Sequence, residues 1–121
     1  MFCVGAFFII LEVDFMVWFY LILAGIAEVF WSTCMKLSEG FSVLKFTILT
    51  IVGMLVSFYF LSLATKELPL GTAYAIWTGI GALGAVIVGI VMFKEPANAA
   101  RLFFALLLLI GIIGLKVTSG H

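Results

Sequence analysis

Four long apolar runs, separated by connections of only a few residues, constrain this chain more than any other feature. They cover approximately residues 17–35, 43–65, 69–93 and 99–117. Each reaches the roughly 20 residues that a helix needs to cross a bilayer core. Backbone groups in lipid must find partners within their own segment, so this small number of spans reads as helices. The connections "KLSEGFS", "KEL" and "KEPAN" are short and mix both charge signs. Successive helices must therefore run antiparallel and pack as neighbours. Only 10% of residues are charged and mean hydropathy is +1.40, against about 25% charged in an ordinary globular chain. The sequence predicts an all-α integral membrane protein with four transmembrane helices and almost nothing outside the bilayer. Pro69 and Pro96 suit the starts of the third and fourth helices, where a missing N–H costs little.

Residues 1–15, "MFCVGAFFIILEVDF", do not fit this plan. The run from Phe2 to Leu11 is about half a membrane span, and Glu12 and Asp14 interrupt it before Met16. It lacks the basic start and small-residue cleavage site of a signal peptide. "LEV" can be encoded by DNA containing GGAGGT, a bacterial ribosome-binding sequence, a short distance ahead of the Met16 codon. Residues 1–15 are therefore read as a translated leader, or else as a short interfacial extension, and 16–121 as the four-helix domain.

Several function classes are excluded at this level. Formal net charge is zero and no basic block suggests a nucleic-acid partner. The two cysteines, Cys3 and Cys34, form no CxxC, and the single histidine, His121, ends the chain, so no metal site is expected. No nucleophile–base pair supports an enzyme, and no cofactor is expected.

The chemistry centres on "AGIAEVFWSTCMK", residues 24–36, where Glu28 is the one acid inside a predicted span. Insertion scales put such an acid at roughly 2.5–3.5 kcal/mol of cost, and acids so placed face cavities and act on ions or substrates. Its alternative use is a hydrogen-bonded carboxyl that ties helices together. At about 100° per residue, Trp31 lies about 60° around the helix from Glu28 and Ser32 about 40°. This side of the helix combines a carboxylate, an aromatic wall and a hydroxyl. The second run offers Gly53 and Ser57 one turn apart. A second hydroxyl can join the site from there, although Ser57 could equally serve helix packing.

The third run, "GTAYAIWTGIGALGAVIVG", sets Tyr74 and Trp77 on one face. Its Gly79, Gly81, Gly84 and Gly89 let another backbone approach and weaken the helix locally. They point to a bendable helix at a subunit contact, or to tight packing within one subunit. The fourth run has no polar group between Arg101 and Lys116, and its Gly111 and Gly114 suggest a dimer seam.

These residues make the chain resemble the small multidrug resistance transporters from about Met16 to the C-terminus. "TAYAIWTGIGALGA" and "GIIGLK" are similar to the guanidinium-exporter subtype of that family, and Trp31, three residues after the glutamate, is its marker. By contrast "STCMKLSEGF" looks more like the quaternary-ammonium subtype, with Ser32 changing the polarity beside Glu28. The resemblance implies that Glu28 is the shared proton and cation site, that Ser57, Tyr74 and Trp77 line it, and that Lys116 matters near the end of helix four. It also implies an antiparallel, dual-topology homodimer in the bacterial inner membrane. Lys36, Lys45, Lys94 and Arg101 fall on one side and Lys66 and Lys116 on the other, a weak orientation bias compatible with both insertions. A heterodimer with a paralogue is a second arrangement.

The expected function is proton-coupled export of guanidinium and small substituted guanidinium cations. The family alternative is a multidrug exporter of quaternary ammonium and aromatic cations. A passive cation channel and a non-transporting membrane subunit are readings from other classes. Proton and cation would compete for two Glu28 carboxylates, one per subunit, whose loading is coupled because two nearby charges repel. Trp31, Tyr74 and Trp77 would wall the pocket and add cation–π attraction, while helix three bends at its glycines.

Overall fold

The computed structural model describes the backbone of residues 2–118 and the side chains of residues 15–118. It contains four α-helices in chain order: α1 (Phe2–Leu37), α2 (Leu44–Thr65), α3 (Leu70–Met92) and α4 (Ala99–Thr118). Four segments are long and apolar enough to cross a membrane: Phe15–Leu37, Leu44–Thr65, Leu70–Met92 and Ala99–Thr118. The protein is thus a multi-pass membrane protein, and the four expected spans agree with these to within two residues. α1 continues without a break through residues 2–15, and the side chains at 1–14 lie outside the described residues.

Each connection solves a local backbone problem. After α1 the chain turns through three successive left-handed residues, Glu39, Gly40 and Phe41, with φ of 51°, 71° and 66°. Buried Ser38 holds this turn. Its hydroxyl donates to the Met35 carbonyl at 2.6 Å and accepts from the Phe41 N–H at 3.1 Å. Pro69 caps the start of α3 as expected. Pro96 does not start α4. Asn98 takes that place, because its side-chain oxygen accepts the Arg101 N–H at 2.8 Å and satisfies a donor that proline's ring cannot.

α1 is the organising helix, packed along α2 on one side and α3 on the other. Their shared core consists of Val17, Leu21 and Ala24 from α1, Ala64 from the end of α2, Leu68 from the connection after it, and Ala73, Ile76 and Trp77 from α3. The core is small because lipid, not protein, covers most of the apolar surface. α4 lies against α3 and has no buried residue along its length. It reaches α1 through Lys116, whose ammonium lies 5.0 Å from the centre of the Trp18 ring.

Candidate functional site

Glu28 lies near the middle of the Phe15–Leu37 span and points at α3. Its carboxyl rests on Gly81: a Cβ at that position would lie 2.5 Å from Oε2 and 2.6 Å from Oε1. The bare backbone of Gly81 therefore makes the room the acid occupies. Neighbouring positions repeat the device. Gly25 on α1 receives Ile80, and Gly84 on α3 receives the Val29 side chain. Glycine here is spent on packing within one subunit, and Gly79 likewise takes Ile112 of α4. Of the two uses read from the sequence, these contacts are those of packing within one subunit. α3 is also a single unbroken helix through all four glycines.

One turn below Glu28, three helices are tied together at a single carbonyl. Ser57 Oγ of α2 donates to the Ala24 carbonyl oxygen at 2.7 Å. The Trp77 indole of α3 donates to the same oxygen at 3.2 Å and to Ser57 Oγ at 2.9 Å. Ser57 and Trp77 are both buried. Ala24 is fully buried with no side chain beyond a methyl, which lets the two donors reach its backbone. Unpartnered polar groups are costly in lipid, so this closed set of bonds holds α1, α2 and α3 in one register. Tyr74 and Phe58 flank the Trp77 ring at centroid distances of 5.3 and 5.8 Å. Tyr74 is itself half exposed on the outer side of the bundle.

Two buried polar atoms on α1 have no hydrogen-bond partner: Glu28 Oε2 and Trp31 Nε1. The first is an acceptor and the second a donor, three residues apart. Trp31 turns towards α2, where a Cβ at Gly53 would lie 2.7 Å from its own Cβ. Buried polar groups are generally bonded, so an ordered water, a ligand or a second copy would complete these two.

The sequence-predicted residues thus divide. Ser57 and Trp77 meet at the Ala24 carbonyl, one turn from Glu28, with Tyr74 against the Trp77 ring. Trp31 turns from the acid towards Gly53 of α2. The Ser32 hydroxyl donates to the Val29 carbonyl at 3.0 Å and lines a cavity farther along the α1–α3 seam. Gly111 and Gly114 have nothing within 4 Å and face away from the subunit. The Ala24 carbonyl was not legible in the sequence, since every residue carries one and only the fold reveals which is reached. Nor was Glu95, which lies in a connection between spans. No group of three or more His, Cys, Asp or Glu that could hold a metal ion occurs among the described residues.

The family model described as Small Multidrug Resistance protein matches residues 16–119. A guanidinium exporter of Yersinia pseudotuberculosis is 51% identical over 104 residues, covering 86% of this chain and 100% of the relative. A guanidinium exporter of Escherichia coli (strain K12) is 49% identical over 104 residues, with 86% and 99% covered. One from Salmonella typhimurium is 51% identical over 104 residues with the same coverage of 86% and 99%. These relatives are named as exporters, which move a solute rather than transform it. With a family match across nearly all of its four spans and relatives aligned end to end, the chain belongs to the small multidrug resistance family.

Proposed function

We propose that this chain exports guanidinium and small substituted guanidinium cations in exchange for protons, as an antiparallel homodimer in a bacterial plasma membrane. The observation that carries the reading is half-buried Glu28, whose buried Oε2 is unpartnered inside a membrane span. Guanidinium offers a planar fork of N–H donors and no acceptor, the complement of a carboxylate. Relatives about 50% identical are named for that cation. Trp31 contributes an N–H in want of an acceptor, which the Glu28 carboxylate of a second copy would supply.

The dimer follows from what one subunit leaves open. α4 is apolar between Arg101 and Lys116, has no buried residue and carries two glycines facing outward. Two copies in opposite orientation would cover this face and set two Glu28 groups together near the bilayer middle. A carboxylate holding a proton cannot hold guanidinium as well, so loading is exclusive. Exclusive loading is what couples proton entry to cation exit. With the Ser57–Trp77–Ala24 tie holding three helices as a unit, alternating access would be a rocking of one subunit against the other around a fixed site.

The quaternary-ammonium reading draws on the stretch "STCMKLSEGF", in which the Ser32 hydroxyl is bonded to the Val29 carbonyl and lines a cavity on the α1–α3 seam. The decisive measurement is transport by the purified protein in liposomes with guanidinium, an alkylated guanidinium and a quaternary ammonium ion. Guanidinium should drive proton movement at zero voltage, and Glu28→Gln should remove it without dissociating the dimer. Retained pH-driven guanidinium flux in Glu28→Gln would overturn the assignment.

A further inference from the structure

A second carboxylate lies on the same α1–α3 seam as Glu28, and the exchange cycle above leaves it without a role. One turn past Glu28 the seam opens into a cavity of about 160 Å3. Ser32, Thr33 and Lys36 of α1 line one side, with Gly89, Phe93 and Glu95 opposite. At roughly 30 Å3 per water, this space admits a small cation with some of its hydration. Glu95 belongs to the α3–α4 connection, yet it folds back into the seam. Lys94 takes a left-handed turn at φ 54°, and the Glu95 N–H bonds the Gly89 carbonyl at 3.0 Å. The carboxylate then rests on bare Gly89, as Glu28 rests on Gly81: a Cβ at Gly89 would meet it, lying 2.9 Å from Oε1. The two glycines are eight positions apart on one helix, a rise of about 12 Å.

The lining of this cavity carries one charge of each sign, Lys36 and Glu95, and its hydroxyls offer acceptors. Ser32 and Thr33 both commit their hydroxyl protons to the Val29 carbonyl, at 3.0 and 2.8 Å. What remains to them is acceptor lone pairs. Glu95 adds a carboxylate, and the chain itself demonstrates what that carboxylate binds. Arg101, in the first turn of α4, sets guanidinium Nη2 at 2.6 Å from Glu95 Oε1. Its Nη1 donates to the Pro96 carbonyl at 3.1 Å, which fixes the orientation of the group. Lys36, the cation lining the cavity, has its ammonium over the face of the Phe93 ring, 5.2 Å from the centroid. Glu95 is 38% exposed, so the cavity is reached from the aqueous edge of the bundle.

We infer that Glu95, with the Ser32 and Thr33 hydroxyl oxygens, forms an outer site that captures a guanidinium-type cation at the aqueous end of the α1–α3 seam. The inference rests on the proposed exchange function. Arg101 steadies the carboxylate, and Lys36 opposes the incoming charge. Antiparallel subunits would place one such site at each membrane face.

The test is initial-rate guanidinium transport by the full-length protein in liposomes, at low and high ionic strength. Glu95→Gln should raise the guanidinium KM about two- to fivefold at low salt, the range of a partly exposed ion pair, with maximal rate held. Gly89→Ala, whose Cβ displaces the flexible end of Glu95, should act in the same direction and serves if Glu95→Gln does not fold. Lys36→Gln should lower KM. All three shifts should shrink at high salt, where surface charges are screened. Opposite signs for Glu95 and Lys36 separate capture from simple loosening of the connection, which would move both the same way. Unchanged KM in the variants, or shifts of one sign, would refute the outer site while leaving the exchange reading intact. A wild-type protein that carries no guanidinium would instead refute the exchange reading.

Discussion

Gly81→Ala separates the function of the site from the stability of the fold. The added methyl would come within 2.5 and 2.6 Å of the two carboxyl oxygens of Glu28, whereas ordinary van der Waals contact begins at 3.4 Å. The carboxyl must therefore withdraw by about 1 Å before it reaches normal packing distance. It is the far end of a flexible side chain, so the backbone need not move. The helix itself gains, because Ala in a helix interior is favoured over Gly by roughly 0.5–1 kcal/mol. The variant should fold as well as the parent or better. Cation binding should suffer, since a charge-assisted hydrogen bond is worth about 1.5–3 kcal/mol and depends on placement. Its loss corresponds to roughly a 10- to 100-fold weaker guanidinium affinity. Thermal unfolding in detergent and guanidinium titration of the same sample read the two quantities together. Affinity within twofold of the parent at undiminished stability would refute the idea that Gly81 seats the Glu28 carboxyl.

Gly84→Ala is the structural counterpart: its methyl would strike the stiff, β-branched side chain of Val29, so it should lower thermal stability where Gly81→Ala does not. Trp77→Phe removes the donor of two buried bonds and should cost about 1–2 kcal/mol in unfolding experiments. Ser57→Ala should cost less, because the Ala24 carbonyl still receives the Trp77 N–H; equal losses would argue against the shared acceptor. Trp31→Gly should shift transport preference from guanidinium towards bulkier aromatic cations, and unchanged selectivity in a competition assay would show that Trp31 does not set it.

The fold was legible because the strongest constraint on it is a length. A run of apolar residues between charged connections fixes where a helix enters and leaves lipid, and α2, α3 and α4 begin and end within one residue of their expected bounds. Helix ends depend on finer chemistry, and there composition misled. Pro96 looked like a helix start because proline tolerates the first turn, but Asn98 alone can accept the Arg101 N–H. The glycines of α3 were equally ambiguous. Periodicity says that a neighbour comes close at Gly81 and Gly84, but not whether that neighbour is another subunit or, as here, Glu28 and Val29 of α1.

The site itself turned on the sign of an angle. Trp31 and Ser32 both fall near Glu28 on a helical projection, and their unsigned offsets of about 60° and 40° suggest one shared face. With signs kept, they lie on opposite sides of the acid, about 100° apart. Trp31 is carried towards Gly53 of α2, while Ser32 is carried towards Ala85 and Val88 of α3. One helix therefore presents two surfaces flanking a single carboxylate. The α2 side carries the unpartnered indole, and the α3 side leads from Glu28 past two hydroxyls to Glu95. Ser32, which as a neighbour of Glu28 counted against guanidinium, fits the same cation once its place is on the second surface. Its proton is already committed to Val29, so it offers an acceptor to a group made of donors.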